Sequence, residues 1–198
     1  MIFQNVSDLQ EFSSGHRGMI YTGIYHGKKA IVKIAHPKST ATGNIGREAL
    51  WLEKLNMFGI GPTLYAVESE YFIAEFIDGV RIDEYFALAS SEDCSFVILH
   101  VLKQCKTLDE LGINKEEMHH PYKHVLIQGK KVVMIDFERC KYTEKPHNVT
   151  QFVQYLCNKN VQRQLEKKVH IPVEPLRLLA EKYKKNHREF EKIVTLFA

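Results

Sequence analysis

The sequence predicts an α+β chain in two lobes: a β-rich first lobe with one helix over residues 1–78, and a short, mainly α-helical second lobe over residues 79–198. Three observations predict this. Runs rich in β-branched and aromatic residues, separated by turn residues, fill the first third. One stretch with apolar residues three and four apart interrupts them after residue 44. From Ser91 onward helical spacing dominates, broken by one short hairpin.

Taken in order, Ile20 to Tyr25 and Lys29 to Ala35 read as strands joined by a His26-Gly27-Lys28 turn. The polar loop HPKSTATGN follows, and Asn44 can cap the helix Ile45 to Met57, which places Ile45, Ala49, Leu52 and Leu55 on one face. Phe58-Gly59-Ile60-Gly61-Pro62 stops it, and Thr63 to Val67 and Tyr71 to Phe76 are two further strands ending at Asp78-Gly79. Ser90 or Ser91, followed by Glu92 and Asp93, opens a helix carrying Val97, Val101, Cys105 and Leu108, closed by Gly112. Val125 to Ile127 and Lys131 to Ile135 form a hairpin around Gly129. Asn148, with Gln151 three residues on, can cap a short helix through Leu156; after Pro172 and Pro175 one long helix aligns Leu176, Leu179, Tyr183, Phe190, Val194 and Phe197. Such a layout offers a cleft between lobes as the place for a ligand.

The chain has 198 residues, 44% of them hydrophobic, enough to bury a core, and its longest apolar stretch, Phe96 to Leu102, is too short to span a bilayer. The N-terminus lacks a basic region followed by an apolar one, so the expected location is cytoplasmic, away from membranes. Cys94, Cys105, Cys140 and Cys157 show no CxxC spacing and read as reduced structural thiols. Charge is uneven. Residues 1–138 hold 14 Lys and Arg against 18 Asp and Glu, whereas residues 139–198 hold 13 against 6. A basic C-terminal third is the footprint of a polyanion partner or a solvated helical surface; charge alone does not choose.

The strongest chemical signal is Ala30-Ile31-Val32-Lys33 on a strand, followed fifteen residues later by Glu48 on a helix. A lysine inside an apolar strand is costly unless it meets an anion, and a Lys–Glu pair facing nucleotide phosphates satisfies both groups. The alternative is an edge-strand lysine facing water. Upstream, Gly15-His16-Arg17-Gly18 can turn backbone N–H groups toward phosphates, with Arg17 adding charge. Downstream, Val132 to Glu138 places Asp136 at the end of an apolar strand, where a carboxylate suits Mg²⁺.

Lys33, Glu48, the strand Ala74-Glu75-Phe76-Ile77-Asp78-Gly79 and Asp136-Phe137 together resemble the protein-kinase-like fold. Arg47-Glu48-Ala49 is similar to the helix start of the small RIO-type kinases and the kinase of the KEOPS complex. The strings GIGP, KEEMHHPYKHVLI, IDFERC and KPHNVTQF resemble the archaeal RNA (tRNA) kinase family more closely, over essentially residues 10–156. That resemblance implies a minimal protein-kinase-like fold and ATP-dependent phosphorylation of an internal ribose 2′-hydroxyl of tRNA. By it, Lys33 holds phosphates with Gly15, His16, Arg17 and Gly18; Glu48 orients Lys33; the backbone around Glu75 and Ile77 binds adenine; and Asp136 binds Mg²⁺.

Two departures stand out. Such kinases place an Asp and, five residues on, an Asn before the metal-binding strand; here those positions fall on His119 and His124. His119 can serve as the base, since imidazole titrates near neutrality. His124, at the second metal position, is a poorer Mg²⁺ ligand than an oxygen, and Glu116, Glu117 or Glu138 can supply the missing carboxylate. Histidines that merely cap a loop are the bland reading. Secondly, no Ala-Pro-Glu follows Asp136, and the chain passes instead into basic helices. Lys141, Lys145, Lys182, Lys184, Lys185 and Arg188 are the candidate contacts to RNA phosphates, with no DNA expected. Three functions follow as expectations: an RNA kinase using ATP and Mg²⁺, a Ser/Thr protein kinase of RIO or KEOPS type, or a pseudokinase binding module.

Overall fold

The computed structural model describes residues 3–14, 18–35 and 44–197. The expected phosphate-turn residues Gly15, His16 and Arg17, and the Asn44 side chain, lie outside the described residues. The chain is α+β and divides into two compact units, the first comprising residues 1–78 with 134–138 and the second 79–133 with 139–198. The sequence reading assigned all of 79–198 to one lobe; the Met134–Glu138 segment groups with the first unit instead.

The first unit is a five-stranded antiparallel sheet in the order β1-β2-β3-β5-β4, built from β1 (Val6–Ser14), β2 (Gly18–Tyr25), β3 (Lys28–Ala35), β4 (Leu64–Val67) and β5 (Tyr71–Glu75), with α1 (Asn44–Asn56) between β3 and β4. Strand β1 was not foreseen: it reads VSDLQEFSS, mostly polar, and is exposed along most of its length as the sheet's edge. Pairing with β2 from Val6↔Tyr25 to Ser14↔Met19, through two register shifts, orders a segment that propensity alone would leave unassigned. Alternation on β3 sends Ala30, Val32 and Ile34 into a core with Phe3 and Ile73, and places Ile31 and Lys33 on the opposite face. On α1 the expected stripe of Ile45, Ala49, Leu52 and Leu55 is buried. Asn56 then fastens the turn that follows. Its amide donates to the carbonyls of Ile60 (3.1 Å) and Pro62 (2.9 Å), while its oxygen accepts from the Leu64 N–H at 2.7 Å.

The second unit begins with β6 (Val80–Arg81) and α2 (Ile82–Leu88), neither foreseen, and continues into α3 (Ser91–Glu110). Ser90 is the N-cap of α3, its hydroxyl accepting from the Asp93 N–H at 3.1 Å. Val97, Ile98, Val101, Leu102, Cys105 and Leu108 are fully buried. The turn into β7 (Ile113–Asn114) uses Gly112 at φ 68°. A three-stranded sheet in the order β6-β8-β9 is formed with β8 (Val125–Gln128) and β9 (Lys131–Met134), and β10 (Lys141–Tyr142) pairs with β7.

The rest is helical: α4 (Asn148–Leu156), α5 (Lys159–Leu165), α6 (Val173–Asn186) and α7 (Phe190–Thr195). Two expectations need correction. Asn148 is not a cap. Its amide donates to Asp109 Oδ1 (2.7 Å) and the Ile113 carbonyl (2.6 Å) and its oxygen accepts from the Lys115 N–H (2.8 Å), while Gln151 accepts from the Met118 N–H at 2.7 Å. The single long C-terminal helix is two, because His187 takes left-handed φ 60° and Asn186 Oδ1 accepts the Arg188 N–H at 3.0 Å, a local bond that competes with helix continuation. After the break α7 buries Phe190 and Ile193, with Val194 only half-buried. The four cysteines are buried and none is in a disulfide. Among the described residues no helix is long and apolar enough to cross a membrane.

Candidate functional site

Within the first unit, a strand, a helix and the 134–138 segment bring four charged side chains together. Lys33 Nζ lies 2.5 Å from Glu48 Oε2 and 3.8 Å from Asp136 Oδ1. Carboxylate oxygens of Glu48, Asp136 and Glu138 lie within 4.8 Å of one another. The alternation of β3 turns Lys33 off the Val32 face, and the α1 periodicity that buries Ala49 and Leu52 carries Glu48 inward beside them. Phe137, 1% exposed, anchors the third element: a Cβ on Gly61 would approach its ring to 3.0 Å and Leu52 to 2.8 Å, so Gly61, at φ 88°, is required both by conformation and by space. Asp136 itself has φ 62°. Asp is among the few residues that tolerate this region, and a strained backbone held by buried neighbours fixes the direction of its carboxylate.

Three carboxylates around one ammonium leave a formal net charge of −2. Burial works against the charge of Lys33, but the nearby carboxylates, Glu48 foremost, outweigh it and hold its pKa above the ordinary lysine value. Burial raises the pKa of Glu48; Lys33 only partly offsets this, and Asp136 and Glu138 add to the rise. Hard oxygen donors with a surplus of negative charge fit Mg²⁺, and Glu138, only one of several sequence candidates, is the residue that completes the set.

Other expected nucleotide contacts fare unevenly. Gly18 has a structural reason to be glycine, since a Cβ would sit 2.7 Å from the Ile34 carbonyl oxygen of the paired strand. The Glu75 N–H is committed to the Thr63 carbonyl at 2.8 Å, and its carboxylate accepts from the Thr63 N–H and hydroxyl at 3.1 and 3.0 Å. Ile77 follows the end of β5, with its side chain buried.

The second unit holds His119 and His124. His124 is buried with Nε2 3.3 Å from Glu117 Oε2. Arg139 pairs with the other oxygen of Glu117, and Lys141 pairs with Glu116, so both of these candidates for the missing carboxylate are beside cations. Lys141 remains exposed beside Glu116. His119 is half-buried; its ring lies 4.2 Å from that of His120, and no described residue hydrogen-bonds it. It borders a cavity of about 490 Å³ shared with Tyr122, Gln154, Tyr155, Asn158 and Asn160. Lys145, Lys182, Lys184, Lys185 and Arg188 are exposed, the last four on and just beyond α6, off its buried stripe of Leu176, Ala180 and Tyr183.

Sequence reasoning missed two groups. The cavity residues of α4 and α5 carry no motif, and only their tertiary placement assembles them. Asp109 is 3% exposed and accepts from the Asn148 N–H (2.8 Å), the Asn148 amide (2.7 Å), the Val149 N–H (3.2 Å) and the Tyr183 hydroxyl (3.1 Å). Its signal was present: an acid in the same register as Val97, Val101, Cys105 and Leu108 must find donors.

No model of a known protein family matches the chain. An uncharacterized protein of Methanocaldococcus jannaschii is 28% identical over 115 residues, an alignment that takes in 56% of this chain and 98% of that protein.

Proposed function

We propose that this chain is an ATP-dependent phosphotransferase of minimal protein-kinase-like fold, acting on a hydroxyl of RNA, best matched by an internal ribose 2′-hydroxyl of tRNA. The observation that carries the proposal is the Lys33–Glu48 pair with Asp136 and Glu138 beside it, an ammonium and three carboxylates gathered from β3, α1 and the segment after β9. Lysine alone suits many anions. A lysine held by a buried glutamate, next to a hard-oxygen set of net negative charge, suits a triphosphate carried with a divalent cation. The antiparallel order β1-β2-β3-β5-β4, with the glutamate-bearing helix between β3 and β4, supports the kinase-like reading of the fold.

In this proposal Lys33 binds phosphate oxygens and Glu48 keeps its ammonium in place. Asp136 and Glu138 hold Mg²⁺, which when bound supplies positive charge against the triphosphate. The acceptor oxygen forms the new bond to the γ-phosphorus, ADP leaves with the electron pair of the broken bond, and the acceptor proton passes to a base, for which His119 is the candidate. Positioning and charge neutralisation supply most of the acceleration. RNA is favoured over protein as acceptor by the charge of residues 139–198, 13 basic against 6 acidic, and by the exposure of Lys182, Lys184, Lys185 and Arg188.

The test is incubation with γ-labelled ATP and Mg²⁺, with bulk tRNA and casein in separate reactions. Label in tRNA alone supports the proposal; label in casein alone makes the chain a protein kinase. Label in neither, with ATP bound, makes it a nucleotide-binding module.

A further inference from the structure

The cavity bordered by His119 lies wholly within the second unit, and its chemistry differs from that of the Lys33 group. Its walls are polar but not strongly charged. Asp83, on one side, is already paired with Arg81 (Nη2–Oδ2 2.7 Å) and its carbonyl accepts from Gln164 at 2.6 Å. The Arg81 guanidinium also lies over the Tyr122 ring, 5.9 Å from its centroid, steadying a flat aromatic surface at the edge of the space. Carboxamides of α4, of α5 and of its N-cap also line it: the Gln154 and Asn160 side chains hydrogen-bond no described residue, and Asn158 uses its oxygen on the Asn160 N–H at 2.9 Å.

A further polar group there has no partner. Tyr155 is 6% exposed, its hydroxyl is buried, and no described atom hydrogen-bonds it. Burial, then the nearby charges of Asp83 and Tyr122, push its pKa far up, so it stays a neutral phenol able to donate. Along the other side of α5, Lys159, Arg163 and His170 line a second hollow of about 310 Å³ that is cationic apart from Glu166.

We propose that the larger cavity receives a single nucleobase of an RNA strand, turned out of its stack, with an adjoining phosphate resting on Lys159, Arg163 and His170. A base needs what these walls provide: an aromatic face for stacking, and carboxamides offering donors and acceptors side by side for its edge. A carboxylate or phosphate ligand would call for cations in the cavity, and these lie in the neighbouring hollow. An apolar ligand would leave Gln154, Asn160 and Tyr155 unsatisfied. The volume lies within the range of small-ligand sites. That the captured nucleotide is the acceptor rests on the RNA kinase reading; its capture does not.

The experiment uses the full chain without ATP or Mg²⁺ and a short single-stranded oligoribonucleotide carrying one 2-aminopurine. Binding raises the fluorescence of the probe as it leaves its stack. Replacing that nucleotide by an abasic residue weakens binding at least about tenfold, as does Tyr122→Ala, the usual scale for losing one stacked base. Gln154→Ala with Asn160→Ala, two exposed positions whose replacement leaves thermal unfolding unchanged, also weakens it, and Arg163→Glu flattens its salt dependence. Equal affinity for the abasic strand overturns the proposal, as does a carboxamide double variant binding within twofold of the parent. Displacement of the strand by an unstructured peptide, but not by added nucleoside monophosphates, overturns it in favour of a protein ligand. Phosphoryl transfer to the same strand is followed separately: its absence, with base-dependent binding intact, overturns the acceptor role alone.

Discussion

Replacing Lys33 by Met tests the charge group directly. Methionine keeps the length of the side chain and removes the ammonium from 2.5 Å of Glu48 and 3.8 Å of Asp136. At an effective dielectric of about 20 those separations correspond to attractions of roughly 6–7 and 4 kcal/mol, much of which desolvation of the partners cancels. What remains in the variant is a 5% exposed carboxylate without its counter-ion, a situation that costs about 3–5 kcal/mol. For a chain of this size that is a fall in Tm of roughly 6–20 °C.

The loss carries a pH signature. Glu48 already has a folded pKa above its ordinary 4.5 because it is buried, and Lys33 is the group pulling it down. In Lys33→Met the folded pKa rises further. The penalty is therefore complete above that raised value, fades as the pH falls through it, and is gone below 4.5, where both states are protonated. Urea denaturation at pH 8 and pH 5 reads both effects. Glu48→Gln added to Lys33→Met restores most of the stability, because the orphaned charge is gone. A deficit below about 1 kcal/mol at pH 8, unchanged at pH 5, refutes the claim that the pair is buried and coupled.

Asp136→Asn keeps a residue that tolerates φ 62°; turnover of labelled ATP is lost while Tm holds, and full activity would remove Asp136 from the cation site. His119→Ala lowers the single-turnover rate about 10²-fold or more, the scale of a general base, and an unchanged rate moves that role elsewhere. Lys184→Glu with Lys185→Glu weakens tRNA binding and reduces its salt slope by about two, leaving ATP affinity intact in a filter assay; an unaltered slope places the RNA on another surface. Asp109→Ala strands two backbone N–H groups, an amide and a phenol, and costs about 3 kcal/mol or more in thermal unfolding. A loss below 1 kcal/mol would show that water replaces the carboxylate.

The sequence by itself determined which residues alternate and which recur every three or four positions. That sufficed for β3, α1 and α3, for Lys33 and Glu48 approaching from different elements, and for Asp136 at the end of a short apolar strand. These are local facts, set by side-chain period and capping chemistry. Tertiary structure decided the rest because it depends on partners distant in the chain. Polar β1 is a strand only because β2 offers it a ladder, and Asn148 points to Asp109, 39 residues away, and not to its own helix end. Glu138 lies with Glu48 and Asp136, whereas Glu116 and Glu117 pair with Lys141 and Arg139. The cavity lined by α4 and α5 has no sequence signature at all: each polar residue there reads as an ordinary surface position until the packing of the second unit sets them around one space.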